Sequence, residues 1–369
     1  MAKKSYLKEI FILIAYFLSG AGLIMILDIT SVASAFELNN PYHYFFRQLL
    51  WLAAASVVFF VLWEIDIKTM RKAIPWAMIA GAIVLVAILI PGVTYPVNGA
   101  RRWLFLPGSV ALQPSEFLKV VWVMYLADYL DRHRGELDDY RILTGPLILL
   151  LVITGLVYSQ PDFGATVILI IPFLVVFFLA EVPMSRLIAM VLAGLPFVYW
   201  AVFGTSYRKD RIIAFLDPFK HRSAEGYQLT RSLIAVVSGG IFGKGAGSST
   251  SKLLYLPCAH TDFIFSVVCE EFGIIGAFLI LFLFAVFVII GFEMAKRCRD
   301  RFSRIVVGGL TSLIALEAFA NIAVGLGLLP TKGLALPFMS YGGSNLMATY
   351  IVLGIIISVY MESAERMME

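Results

Sequence analysis

Long apolar runs fill most of the chain, separated by short clusters of charge, proline and glycine. Segments 9–27, 44–63, 73–91, 114–130, 142–158, 164–181, 186–204, 263–292, 302–329 and 344–362 are each about the length of a membrane-crossing helix. A bilayer core about 30 Å thick takes roughly 20 apolar residues in helix. Only the fourth run is much interrupted, by Glu116, Lys119 and Asp128, and an interfacial helix is its other reading. Between 205 and 262 the pattern changes. YQLTRSLIAVVSGGIFGKG is amphipathic, with Leu229, Leu233, Val236 and Val237 expected on one side, as in a helix lying on a membrane or plugging a cavity. The pattern predicts an all-α integral membrane protein, one polytopic domain over 1–369. It has about ten transmembrane helices, and 205–262 forms a large outer loop between the seventh and eighth.

Composition supports lipid as the solvent. Of 369 residues, 60% are hydrophobic and 15% charged, against about 45–50% and about 25% in soluble domains. The first apolar run is long and lacks a small-residue cleavage site, so no cleavable leader is expected. The net charge of +4 says nothing of nucleic acid, because it is unevenly spread. Lys3, Lys4, Lys8, Lys68, Arg71, Lys72, Arg132, Arg134, Arg141, Arg186, the basic run 296–304 and Arg366 fall on one side. By the positive-inside rule that side is cytoplasmic, with both termini there. Cys258, Cys269 and Cys298 fall in different compartments or depths, and no disulfide is expected.

Polar residues in or beside spans are costly and are functional candidates by default. They collect on the outer side. Arg101, Arg102, Lys119, Arg208, Arg211 and Lys332 suit a clamp on a phosphate-bearing ligand, against headgroup anchoring by snorkelling side chains. Glu116 and Lys119, three apart, can pair on one helix face. Asp162 precedes a helix start and reads first as a cap; Asp217 before Pro218 reads as a turn. In PCAHTDF, both Thr261 and Asp262 could cap the eighth span. Glu270 lies roughly 12 Å further along that helix, and Glu270 and Glu271 read as walls of an outer polar cavity or as ion-pair partners of a neighbouring span. A zinc site at Cys258-x-His260-x-Asp262 lacks a fourth ligand. A phosphate loop at GGIFGKGAGSS lacks its preceding strand, and no Gly-x-Ser-x-Gly elbow supports a serine triad.

NGARRW (98–103), QPSE (113–116), QPDFG (160–164), LDP (216–218), GYQ (226–228), AHTDFIF (259–265) and LPFMSYGGS (336–344) occur in that order. Together they resemble the SEDS family of bacterial membrane proteins (shape, elongation, division and sporulation). GLLPTKG and GYQ favour the division type over the elongation type. The resemblance implies a peptidoglycan glycosyltransferase of the bacterial inner membrane, its active site facing outward, polymerising lipid II in septal wall synthesis. Asp262 would be the catalytic base and undecaprenyl diphosphate the leaving group, met by the basic residues named above. Glu116, Asp162, His260, Thr261, Glu270, Glu271 and Ser340 would support them. A class B penicillin-binding protein and other division proteins are the implied partners, beside membrane lipid. A divalent cation, magnesium or manganese, could share the diphosphate work, but no residue is assigned to it. Relatives commonly have Pro-Glu where Pro257-Cys258 stands here; retention of Asp262 argues that the change is neutral. Lipid II transport, and non-catalytic activation of a penicillin-binding protein, are the competing readings.

Overall fold

The computed structural model describes residues 6–97, 99–107, 110–204, 206–221, 226–252 and 256–365. Each apolar run is a helix. In chain order these are α1 (Leu7–Leu38), α2 (His43–Trp63), α3 (Ile67–Leu89), α4 (Pro114–Arg132), α5 (Tyr140–Ser159), α6 (Phe163–Leu179) and α7 (Met184–Phe203). Within the expected outer loop stand α8 (Ser206–Leu216) and α9 (Tyr227–Ser238), followed by α10 (Ile264–Arg297), α11 (Arg301–Gly325) and α12 (Gly343–Glu365). Among the described residues, seven helices are long and apolar enough to cross a membrane: α1, α2, α3, α5, α10, α11 and α12. The apolar α6 is shorter, as is the apolar stretch of α7 from Met184 to Phe197. Charges set α4 apart.

Local signals start several helices. Asp66, Asp139, Asp162 and Asp300 accept backbone N–H bonds at the first turns of α3, α5, α6 and α11, which satisfies amides left free by helix geometry. Pro114 opens α4 at a position where its missing N–H costs nothing. The centre of the bundle is α11 and α12, 78% and 83% buried over their apolar windows, while α2 and α3 are rim helices, 17% and 22% buried. Small and hydroxylated residues on α11, from Gly308 to Ser312, let neighbours approach closely. A short antiparallel hairpin, β1 (Leu104–Leu106) and β2 (Val110–Leu112), interrupts the otherwise helical chain. Three-residue strands are too short to declare a period of two, so the pattern missed them.

The amphipathic segment is α9, but its buried face is Leu229, Thr230, Ser232 and Ala235. Val237, expected on that face, is 78% exposed. The burial follows polar contacts: Ser232 Oγ donates to the Gly325 carbonyl (2.6 Å) and meets Ser266 Oγ at 2.7 Å.

Gly273 breaks α10 with φ 64° and ψ −160°. The chain after α9 fills the break. Ile274 N–H donates to Gly240 O (3.0 Å) and Ile275 N–H to Ile241 O (3.3 Å), while Lys244 and Gly245 N–H donate to Glu270 O and Glu271 O, both at 3.0 Å. The broken helix thus exchanges internal bonds for bonds to a loop, which satisfies backbone groups that the break would otherwise free. A Cβ on Gly273 would lie 2.4 Å from Gly243 N and Ile241 O. Gly273→Ala is therefore expected to cost at least about 1–3 kcal/mol from its backbone angles alone. The purified variant should melt measurably below wild type; an unchanged melting temperature would show that the break is not required.

Candidate functional site

Four helix N-termini meet at one end of the bundle: those of α4, α6, α10 and α12. Each carries partial positive charge from its aligned peptide dipoles. Between them lies a cavity of about 280 Å³, bounded also by Arg102 and Trp103, by Thr261 and Asp262, and by the 333–335 and 341–345 stretches.

Asp262 enters this cavity from the turn before α10. It is not the cap: Phe263 holds that position, without a side-chain bond. The turn closes on Cys258, whose carbonyl accepts from the Thr261, Asp262 and Phe263 amides. Cys258 itself has φ 59° and an exposed side chain. Asn321 Nδ2 of α11 donates to the Asp262 carbonyl (2.9 Å) and the Leu334 carbonyl (2.6 Å), tying the turn to the 333–335 stretch. Gly333 lies against the carboxyl; a Cβ there would be 3.2 Å from Asp262 Oδ2. Burial pushes the Asp262 carboxyl up to about 7, against the opposing pull of the Thr261 hydroxyl, Arg211 and Arg102.

Asp162 forms the facing wall. It caps α6 through Ala165 N–H (3.0 Å) and accepts from Gln113 Nε2 (3.0 Å). Arg102 Nε stands 3.8 Å from its carboxylate. Burial raises this carboxyl too, with Arg102 and the Ala165 amide pulling the other way. Arg102 also donates to the Gln160 carbonyl (3.4 Å) and the Pro161 carbonyl (2.5 Å), so it is oriented by the QPDFG turn.

The floor is ionic. Lys119 Nζ is 2.6 Å from Glu116 Oε2 and also pairs with Glu317 of α11. Asn345 Nδ2 donates to Glu116 Oε2 (3.1 Å). The expected Glu116–Lys119 pair is present; its third member, Glu317, comes from a distant helix.

Other expected residues are placed differently. His260 does not line the cavity. Its ring packs against Tyr44 and Tyr341, with centroids 5.6 and 5.5 Å away, and burial lowers its pKa. Ser340 holds the turn, its hydroxyl donating to Thr261 O and accepting from Leu336 N–H. Thr261 lines the cavity beside Asp262. Arg211 Nη1 donates to Thr331 O at 3.1 Å, and Lys332 Nζ lies 3.4 Å from the centroid of the Phe163 ring. Neither these two nor Arg101 is part of the cavity lining. The Arg208 side chain is outside the described residues.

Glu270 and Glu271 are not cavity walls. Both are fully buried on α10 but face the 244–252 loop. Glu270 accepts from Lys244 Nζ (2.6 Å), Ser249 Oγ (2.5 Å), Thr250 Oγ1 (2.9 Å) and two loop amides. Glu271 accepts from Ser249 N–H (3.2 Å), and Lys252 reaches from it (3.9 Å) to Asp28 of α1 (2.9 Å). The polar sequence between α9 and α10 supplies the donors these glutamates need, which spacing along α10 alone does not disclose.

Trp103, Gln113, Tyr341 and Asn345 complete the lining and were not singled out from sequence. Trp103, Gln113 and Tyr341 lie within the motifs quoted above and Asn345 one residue past the last of them; uncharged residues do not stand out by cost in a membrane. Among the described residues no three His, Cys, Asp or Glu side chains form a metal-holding group. Asp162, Glu116 and Glu317 are engaged by Arg102, Lys119 and amide groups instead.

The fold and cavity define a multi-pass helical membrane protein with a polar, water-accessible pocket at one end of its bundle. The chain belongs to the cell cycle protein family of FtsW, RodA and SpoVE, which matches residues 8–365. It is 37% identical over 350 residues to a probable peptidoglycan glycosyltransferase FtsW of Coxiella burnetii, covering 93% of each chain. The corresponding Thioalkalivibrio protein is 41% identical over 353 residues, covering 95% of this chain and 88% of that one. Among solved structures, a chain of a peptidoglycan synthase complex that coordinates polymerization and crosslinking superposes with a TM-score of 0.77. Its identity is 27%, over 95% of this chain and 97% of that one. The rod shape determining protein RodA of Thermus thermophilus gives a TM-score of 0.71 at 25% identity, over 96% of both.

Proposed function

We propose that this protein is a division-type peptidoglycan glycosyltransferase of the bacterial inner membrane, with Asp262 as its general base. The observation that carries the reading is the Asp262 carboxyl, buried in a polar cavity and raised to about 7. A base poised near the working pH is the one that transfers protons best. Its substrate is lipid II. The acceptor sugar 4-hydroxyl gives its proton to Asp262 as its oxygen attacks the donor anomeric carbon. The bond from that carbon to the diphosphate oxygen breaks, and undecaprenyl diphosphate leaves. Four converging helix N-termini, with Arg102 and the outer Arg101, Arg211 and Lys332, favour the negative charge that develops there. In this reading the chain crosses the membrane ten times with both termini cytoplasmic, this end of the bundle faces outward, and a class B penicillin-binding protein crosslinks the product there.

The transport reading finds less support. Below the Lys119–Glu317 floor, α4 and α11 are closed by the fully buried Trp122, Val123, Leu310 and Leu313. The cavity lining itself reaches no further along α4 and α11 than Lys119 and Glu317.

The experiment is polymerisation of labelled lipid II by purified protein with its cognate transpeptidase, followed against pH. Asp262 must be ionised to accept a proton, so kcat/KM should climb about tenfold per unit up to pH about 7 and level off above it. A profile flat between pH 5.5 and 8 would remove Asp262 from the base role.

A further inference from the structure

A second cavity, of about 620 Å³, lies far from Asp262, between α5, α6 and α7. We propose that it binds an anionic phospholipid of the leaflet opposite the Asp262 end. Its walls are apolar, with Leu147, Leu150, Ile170, Phe173 and Met190 among them. Its volume is that of a small-molecule site, in the range of about 300–1,000 Å³. Leu151, Val191 and Leu195 at its rim are exposed, so the groove opens sideways onto the apolar surface of the bundle.

Length selects the occupant. α6 starts at Asp162 beside the first cavity, and α7 begins just after α6 ends, so Arg186 stands at the other end of the bundle. From Arg186 the groove follows α7 to Phe197, about 16 Å along the helix axis. There Phe197 meets Tyr158 of α5, their ring centroids 6.4 Å apart. That span is half of a bilayer core about 30 Å thick. It fits the acyl chains of one leaflet and is too short for a crossing helix of a partner. A polyprenyl diphosphate whose headgroup sat at Asp262 would enter from the wrong end.

Charge selects the headgroup. Arg186 lines the groove at that end together with Tyr140 and Thr144. Its Nη1 is covered and has no hydrogen-bond partner among the described residues. A covered, unpaired N–H carries a desolvation cost that an acceptor removes, and phosphate oxygens match the guanidinium fork. Arg141, exposed one residue beyond Tyr140, is outside the lining and leaves Arg186 as the cation of the groove. Basic pockets between membrane helices favour anionic headgroups.

The test uses full-length protein stripped of lipid in neutral detergent. It is given equal phosphatidylglycerol and phosphatidylcholine with identical chains, and retained lipid is read by native mass spectrometry. Wild type should keep one phosphatidylglycerol at least tenfold over phosphatidylcholine. Arg186→Gln should cut that preference at least fivefold, and Arg141→Gln, outside the groove lining, should leave it. Leu151→Trp, which crowds the rim from an exposed position, should reduce retention of both lipids and serves if Arg186→Gln does not fold. Equal retention of the two lipids by wild type overturns the site. So does an unchanged preference in Arg186→Gln, unchanged retention in Leu151→Trp, or displacement of the phospholipid by equimolar undecaprenyl phosphate. Neither lipid readout involves glycan synthesis, so failure here leaves the polymerase reading standing.

Discussion

Asp262→Asn is expected to lower lipid II polymerisation by about 10²–10⁴-fold, the range that a positioned general base contributes. The same variant should melt higher than wild type above pH 7. The carboxyl titrates at 3.8 when free and at about 7 in the fold. The folded state therefore holds the proton more tightly than the unfolded state does. Stability contributed by that proton is complete below pH about 4. It falls as the pH rises from there to about 7, where the ionised group is held against its burial. Asparagine removes the penalty while keeping the shape and the Asn321 bond to the backbone carbonyl. Loss of activity with gain of alkaline stability is what a site residue shows; loss of both would mark Asp262 as structural. Glycan yield by gel and melting in detergent at pH 5 and pH 8 decide it.

The second large effect concerns the floor. Lys119→Met should destabilise the protein by about 3–5 kcal/mol, because removing one partner strands the charge of the others. Glu116 and Glu317 would face each other with no cation between them, their side chains only 16% and 6% exposed. Glu317→Gln should cost less, since Lys119 keeps Glu116 and gains an amide acceptor. Polymerisation by any surviving Lys119→Met should be low, because Asn345 and the α12 N-terminus are positioned through Glu116. Urea or thermal unfolding in detergent measures the difference between the two variants. A Lys119→Met protein that unfolds like wild type would show that the three groups are not an ionic lock.

Some of this was legible in the residues. Apolar runs about as long as a bilayer is thick have one stable use, so those helices were readable; the strand pair at 104–106 and 110–112 and the polar helix α8 were not. Caps were readable where a carboxylate directly precedes a run, as at Asp162. The cluster at Asp262 stood out because charge beside an apolar helix is costly without a purpose.

Glu270 and Glu271 went the other way. Their helix position is correct, but their partners, Lys244, Ser249 and Lys252, arrive on a loop whose path depends on a glycine break in α10. Glu317 likewise joins Lys119 only because α11 packs beside α4. Arg211 and Lys332 carry the right charge at the right end, yet they bind a carbonyl and an aromatic ring outside the cavity lining.

By itself the sequence determined the solvent, the helices and the residue types at one end of them, because hydrophobic length and charge cost are local quantities. Which carboxylate is buried in a cavity, and which is neutralised by a loop, was decided by the tertiary structure. Burial and pairing are properties of neighbours brought from far along the chain, and they alone push the Asp262 carboxyl up while fixing Glu270 in place.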